Sequence, residues 1–362
     1  MLRKILIVLP TDNLGGAEKV LKMIARHYLN NANVSVSIFF LQKRLTSSWD
    51  DLLINKNITL DYGKSKSSTL GLINLLYFIL KCRKYYHIFS SQTIINGFIG
   101  LLIKLRLIKT NFFVARESTA VFNRFSGIKL LKYRLIYYLG YSSVDLLICQ
   151  TELMKDQFIK NLPFISKKIN IKTIPNPINL EKTLKPNTDF IFNEDYIVAA
   201  GRLIEEKGFD ILIDAFNLLQ NDYSNLKLVI LGEGPLRKHL ERKIRNLNLA
   251  DKALLPGRVS NVLTYFNLAR ACVVSSRIEG FPNVLLEMIS QNTNVISTRC
   301  AGDIDTLEGV SLVEVNDVSG LVESLKFILE SDTSHNRVLF DKELKSRNIE
   351  NFINKMELSL NE

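Results

Sequence analysis

The chain has 362 residues, enough for two domains of ordinary size, and its 47% hydrophobic and 23% charged residues exclude an intrinsically disordered chain. The net charge of +11 is split unevenly: residues 1–180 carry 26 Lys and Arg against nine Asp and Glu (+17), the remainder 21 against 27 (−6). Four cysteines without a CxxC pairing and four scattered histidines argue against structural zinc or a disulfide framework and suit a reducing cytoplasm.

The opening run, MLRKILIVLPTDN, has basic residues ahead of an apolar core, as a signal peptide does. Ile5–Leu9 is too short for one and no small-residue cleavage site follows, so a buried first strand is expected. It runs into PTDNLGGAEKVLKMIARHYL, with Gly15-Gly16 at a strand-to-helix turn. Backbone without side chains can approach a phosphate there and offer helix-start amides, although two glycines alone are more simply a tight turn. Further strands are expected at Val34–Phe40, His87–Ser90, Asn111–Ala115, Leu146–Cys149 and Ile171–Ile174.

Between these strands, LLYFILKCRKYYH, GLLIKLRLIK and SGIKLLKYRLIYYLGY mix apolar residues with Lys and Arg. Each reads as a core helix with charges towards solvent, or as a helix resting on anionic lipid. None reaches the ~18 uninterrupted apolar residues a transmembrane helix needs.

Four of the eight prolines, Pro163, Pro175, Pro177 and Pro186, fall within 24 residues, and proline stiffens its own backbone and that of the residue before it. This places a first domain over 1–175, a hinge over 176–190, a second domain over 191–340, and a C-terminal helix over 341–362 packing back on the first domain. After the hinge, strands are expected at Tyr196–Ala200, Lys227–Leu231, Ala253–Leu255, Ala271–Val274, Asn294–Ser297 and Ser311–Val313. Alternation of short strands with helical patterns, twice over, specifies an α/β protein of two Rossmann-like doubly wound domains facing a central cleft. Ligands in such sheets sit beyond the carboxyl ends of the strands.

In the second half, IVAAGRLIEEKGFDILIDAF ends a strand at Gly201, follows at once with Arg202, and opens the next helix after Lys207-Gly208. Arg offers a planar fork to phosphate oxygens and Lys a mobile point charge, so the pair suits an anion. LVILGEGPLRKHL repeats the strand–turn–helix pattern around Gly232, and LLPGRV carries Arg258 at a strand end whose backbone could read a base edge. SSRIEGFPNVLLEM then sets Glu279 before a Gly280-Phe281-Pro282 corner and Glu287 inside the helix that follows. Pro282 is expected at the first helical position, with the amides of about Asn283 to Leu285 open to a ligand oxygen. Glu287 lies four residues after Asn283, so the two share a helix face, while Val284, Leu285 and Met288 point to a core. A carboxylate on that face would accept paired ribose hydroxyls.

The Glu-x7-Glu pair in EGFPNVLLEM, with GRLIEEKGFDILIDAF upstream and GGAE near the N-terminus, resembles retaining glycosyltransferases of family 4 (glycosyl transferases group 1) on the GT-B fold. The likeness is strongest over roughly 195–300. It implies a nucleotide-sugar, UDP-linked by family habit, held by Gly15, Gly16, Arg202, Lys207, Gly232, Arg258, Glu279, Gly280, Phe281, Pro282, Asn283, Val284 and Glu287. Arg202 and Lys207 would hold the diphosphate and stabilise the leaving group, Glu287 the ribose, and Glu279 would lie beside the donor sugar. No cofactor and no metal is implied. Where relatives carry a histidine at the end of a first-domain strand, FFVARESTA offers Arg116 and Glu117, placed on the acceptor or sugar side. After Asn294–Ser297, TRCAGDIDTL replaces the family's Gly-Gly or Gly-Pro turn.

The resemblance and the +17 half together imply transfer of a hexose or N-acetylhexosamine to a glycan or polyprenyl-diphosphate-linked acceptor in bacterial surface polysaccharide assembly. The enzyme would work in the cytoplasm, peripheral on the inner face of the membrane. Rival readings are another GT-B enzyme, an epimerase or phosphorylase, and a basic nucleic-acid-binding protein. The last is disfavoured because its cations are interleaved with long aliphatic runs and no recognised binding module is present.

Overall fold

The computed structural model describes residues 3–44, 47–64, 67–179 and 194–362. The chain divides into two compact units, Met1–Asn179 with Arg347–Glu362, and Leu180–Ser346. Most of the expected hinge, residues 180–190 with Pro186, lies outside the described residues.

The first unit is built on seven parallel strands, β1 (Arg3–Thr11), β2 (Val34–Gln42), β3 (Ile58–Tyr62), β4 (Lys84–Ser91), β5 (Lys109–Arg116), β6 (Leu146–Cys149) and β7 (Asn170–Thr173), in the order β3-β2-β1-β4-β5-β6-β7. β1 is central because Ile5–Leu9 is apolar on both faces of the pleat, which only a strand covered on both sides tolerates. Leu6 and Val8 enter one core with Leu75, Ile99 and Tyr137; Ile5, Ile7 and Leu9 enter the other with Leu21, Ile24 and Phe352. Each such side chain contributes about 1.5–3 kcal/mol by leaving water.

β3 has no counterpart among the expected strands. It is an edge strand on which only Ile58 is fully buried, so its alternation of Ile58, Leu60 and Tyr62 with polar residues is short and weak.

Three helices, Ser68–Lys81, Thr93–Lys104 and Gly127–Gly140, contribute to the first of these cores. The second and third cross very closely. A Cβ on Gly100 would stand 2.1 Å from the Gly140 carbonyl oxygen, and one on Gly140 1.9 Å from that of Gly97. Gly-for-Cβ economy at the crossing is what brings the backbones together.

On the other sheet face lie helix Gly16–Leu29 and helix Ile349–Leu360, whose Phe352, Ile353 and Met356 are buried there. Tyr28 donates to Glu357 at 3.3 Å and Asn170 to the Ser359 carbonyl at 2.6 Å. The return to this unit begins at Arg347; the preceding helix, Asn336–Ser346, belongs to the second unit.

The second unit has six parallel strands, β8 (Tyr196–Ala200), β9 (Lys227–Leu231), β10 (Ala253–Gly257), β11 (Ala271–Val274), β12 (Val295–Thr298) and β13 (Ser311–Val313), ordered β10-β9-β8-β11-β12-β13. In both sheets strand order reverses once, at β1/β4 and at β8/β11. Loops leaving the two strands at such a point diverge to opposite sides and leave a crevice at their carboxyl ends. Among the described residues, no helix is long and apolar enough to cross a membrane.

Candidate active site

Of the predicted residues of the second unit, Arg202 and Lys207 follow β8 and Glu279 follows β11, on either side of its reversal point, while Gly232 follows β9 and Arg258 follows β10. The strand ends are tied by backbone: the Gly201 amide donates to the Leu231 carbonyl at 2.9 Å, and the Gly232 amide to that of Gly257 at 2.7 Å. Gly232 has φ +135° and a Cβ there would stand 1.9 Å from the Gly201 oxygen, so only glycine fits. Arg202 leaves this rim with an exposed side chain. Arg258, on the neighbouring rim, is likewise exposed.

Lys207 ends a short 3-10 turn, Glu205–Lys207, and Gly208 at φ +60° turns the chain into helix Phe209–Leu219. A Cβ on Gly208 would meet the Ser275 carbonyl at 2.1 Å, so the post-β8 and post-β11 loops touch backbone to backbone. That contact is fastened by side chains. Ser275 Oγ donates to the Lys207 carbonyl at 3.0 Å, and Arg277 forks onto Asp210 at 2.9 and 2.6 Å while also reaching the Glu205 carbonyl at 2.7 Å. Burial works to raise the Asp210 carboxyl, but the Arg277 fork outweighs it and leaves the group below its ordinary value.

The two loops bring together Lys207 and Glu279, which form an ion pair. Glu279 also accepts from Ser276 Oγ at 2.9 Å, and its amide donates to the Cys300 carbonyl at 2.8 Å. Thr298 Oγ1 donates to the Ser276 carbonyl at 2.5 Å, fixing the loop to the end of β12. Burial, with the Glu279 carboxylate adding, pushes the Cys300 thiol up to about 12. Sequence reasoning missed Ser275, Ser276, Asp210 and Thr298. All four lie within motifs that the sequence singles out, but a pair as distant in sequence as Arg277 and Asp210 leaves no local signal of its contact.

The helix after Gly280 runs Asn283–Ile289, and Pro282 is its N-cap instead of its first residue. The Leu285 amide is satisfied by the Pro282 carbonyl at 2.9 Å, so it is not one of the amides open to a ligand. Phe281 is buried beside this corner. Glu287 and Asn283 are both half-buried and share a helix face; Leu285 and Met288 enter the core, but Val284 is only half-buried. The following turn, Gly302-Asp303, holds Asp303 at φ +60°.

In the first unit, Gly15 caps helix Gly16–Leu29 in extended conformation without a side-chain cap. The Glu18 carboxylate folds back so that a Cβ on Gly15 would meet it at 2.6 Å. Arg116 and Glu117, at the end of β5, were expected on an acceptor or sugar side. They are buried instead, 1% and 3% exposed, and each has separate partners. Arg116 reaches Asn176 and, at 3.5 Å, Ser91 Oγ, and its Nε is buried without a partner. Burial lowers it to about 10, opposed by Glu18.

Glu117 accepts from Tyr141, from Thr93 at 3.0 Å and from Tyr137 at 3.3 Å. Burial raises its carboxyl to about 7 despite these donors. Asn96 joins the set, donating to the Arg116 carbonyl at 2.9 Å and to the Tyr141 hydroxyl at 3.1 Å. Just before Thr93, Gln92 holds φ +113°, a strained conformation for a residue with a Cβ.

The glycosyl transferases group 1 family matches residues 181–343. An uncharacterized glycosyltransferase of Methanocaldococcus jannaschii is 34% identical over 184 residues, 49% of this chain and 44% of that protein, so the match spans less than half of that relative. The N-acetylgalactosamine-N,N'-diacetylbacillosaminyl-diphospho-undecaprenol 4-alpha-N-acetylgalactosaminyltransferase of Campylobacter jejuni is 29% identical over 74% of this chain and 75% of its own length. Among solved structures, Anabaena Alr3699/HepE in complex with UDP and glucose superposes with a TM-score of 0.78 at 14% identity, covering 99% of each chain. The lipopolysaccharide outer core galactosyltransferase WaaB does so at 0.69, again with 14% identity and 99% of each chain. The architecture of both units is thus the GT-B fold.

Proposed function

We infer that this chain, a member of the group 1 glycosyltransferases through residues 181–343, is a retaining enzyme that moves a hexose or N-acetylhexosamine from a UDP-sugar to a polyprenyl-diphosphate-linked oligosaccharide. The observation that carries the reading is the pairing of Lys207 with Glu279 at the reversal point of the second sheet, next to exposed Arg202. Two cations and a carboxylate at that crevice suit a ligand with a diphosphate and a sugar.

In this reading Arg202 and Lys207 bind the diphosphate, and their charge counts for most as the glycosidic bond breaks and the departing diphosphate gains negative charge. Lys207 then exchanges Glu279 for phosphate oxygens, and Glu279 turns to the donor sugar. Glu287 receives the ribose hydroxyls, and Arg258 lies beside the base. Protein cations, in place of a metal ion, neutralise the leaving group.

A UDP-bound structural neighbour supports the choice of donor, and the C. jejuni relative supports a lipid-diphosphate acceptor. The alpha linkage in that relative's name supports retention, because common UDP-hexose donors are themselves α-linked. Capsule and lipopolysaccharide-core transferases among the relatives support a place in surface polysaccharide assembly.

The test is a panel of nucleotide-sugars, scored for nucleoside diphosphate release with and without a membrane lipid extract and with and without EDTA. UDP-sugar turnover that depends on lipid acceptor and ignores EDTA is expected. Arg202→Ala should lower it about 10²–10³-fold, the usual loss when one transition-state charge partner is removed. Undiminished turnover in Arg202→Ala and in Glu287→Ala would refute the site.

A further inference from the structure

Helix Gly127–Gly140 is apolar on two opposite faces. Tyr137 and Gly140 are its buried residues, pressed onto helix Thr93–Lys104 through the glycine crossing. On the other side Ile128, Leu131, Leu135, Tyr138 and Leu139 are 76, 66, 58, 49 and 44% exposed. At 100° per residue these five fall within an arc of about 100°, a continuous stripe that has no core to enter. Lys132 borders the stripe on one side and Arg134 on the other, with Lys129 beyond Lys132; all three are exposed. Between Glu117 and Asp145 the sequence has no acidic residue. Helix Ser68–Lys81, which enters the same core, also exposes apolar side chains, among them Ile73 and Tyr77. The helix between them, Thr93–Lys104, is mostly buried, so of the three basic-apolar segments this one is a core helix.

Isolated exposed leucines are ordinary, but a stripe of five large apolar side chains along one helix, edged by cations and free of acids, is not. An apolar stripe alone would fit another protein copy equally well. The cations select an anionic partner, and their position at the stripe's margins matches headgroups lying beside inserted side chains.

We propose that helix Gly127–Gly140 lies in the surface of an anionic lipid bilayer, with Ile128, Leu131, Leu135 and Tyr138 among the acyl chains and Lys129, Lys132 and Arg134 at the headgroups. The inference rests on the reading of a lipid-linked acceptor, whose diphosphate sits at that same surface. It assigns to the stripe the task of holding the first unit where such an acceptor is found.

Flotation of the full chain with phosphatidylglycerol/phosphatidylcholine vesicles, and with phosphatidylcholine vesicles alone, tests it. Binding to the anionic vesicles only is expected. Combined Lys129→Ala, Lys132→Ala and Arg134→Ala should weaken it about a hundredfold, each cation near the surface accounting for about fivefold. Leu131→Ser with Leu135→Ser should weaken it about tenfold or more. These positions are exposed, so the buried Trp49 fluorescence and UDP release with a short soluble acceptor should not change.

Equal binding by wild type and both variants, or none by wild type, would overturn the proposal. So would a dimer in light scattering that the leucine pair dissociates, since a second copy would then cover the stripe. Loss of transfer with intact vesicle binding would sink the transferase reading alone. Transfer to soluble acceptor by a chain that ignores vesicles would sink only the membrane assignment.

Discussion

Glu117→Gln tests the buried network at the end of β5 through the pH dependence of folding. Burial raises the Glu117 carboxyl from 4.5 to about 7 in the folded chain. Between those values the folded state holds a proton that the unfolded chain has released. The stability tied to that proton is therefore full below pH 4.5, falls as pH rises, and is gone above pH 7. About 2.5 pH units at about 1.36 kcal/mol each give about 3 kcal/mol. His87 acts in the opposite sense: burial, helped by Arg3, lowers it from 6.5 to about 4, so its contribution is present above pH 6.5 and fades as pH falls through 4. Over the shared window the two slopes oppose each other and wild type alone is uninformative, whereas the difference between wild type and variant isolates Glu117. The amide keeps the volume and an acceptor for Tyr141 but cannot ionise.

The chain's single tryptophan, Trp49, is buried in the first unit, so its fluorescence in urea reports the unfolding of that unit. Measured between pH 4.5 and 8, the stability of the variant relative to wild type should rise by about 3 kcal/mol. A difference that stays flat across this range would mean that Glu117 is ionised throughout, and the burial argument would be wrong.

Gly140→Ala drives a methyl into the Gly97 carbonyl oxygen, backbone that cannot move aside cheaply, and should destabilise the first unit by about 2–3 kcal/mol in the same Trp49 assay. Gly232→Ala combines φ +135° with a clash on the Gly201 oxygen, so the thermal transition of the second unit should fall while the Trp49 transition stays in place. Lys207→Met should lower UDP-sugar turnover about 10²–10³-fold without shifting either transition. Turnover near wild type in that variant would show that the Lys207–Glu279 pair only fastens two loops.

The fold was legible wherever one rule sufficed. Continuous apolar runs such as Ile5–Leu9 mark strands covered on both faces, and their alternation with helices gives two parallel sheets. β3 escaped because an edge strand needs little apolar surface. Pro282 was misplaced by one residue, since a proline suits the cap of this short helix as well as its first turn. The site was legible as chain-local motifs, Gly201-Arg202, Lys207-Gly208 and Glu279-Gly280. What fastens those motifs, the Arg277 fork on Asp210 and the hydroxyls of Ser275 and Thr298, depends on strand order, which no motif encodes. Arg116 and Glu117 read as site residues because they stand where relatives carry a histidine at a strand end. Tyr137, Tyr141 and Asn96 instead close over them, supplied by helices whose packing rests on Gly97, Gly100 and Gly140.

Helix Ile349–Leu360 gives the chain an order of assembly. During synthesis the first 179 residues leave the ribosome with Ile5, Ile7, Leu21 and Ile24 facing a groove that lacks Phe352, Ile353 and Met356. All of Leu180–Ser346 is then translated before those three side chains arrive. The second unit, an uninterrupted segment, can finish folding on its own, whereas the unit that begins first is completed last. The nascent chain thus carries an unfinished apolar surface while the whole second unit is translated, and that interval is when a holding chaperone would find it.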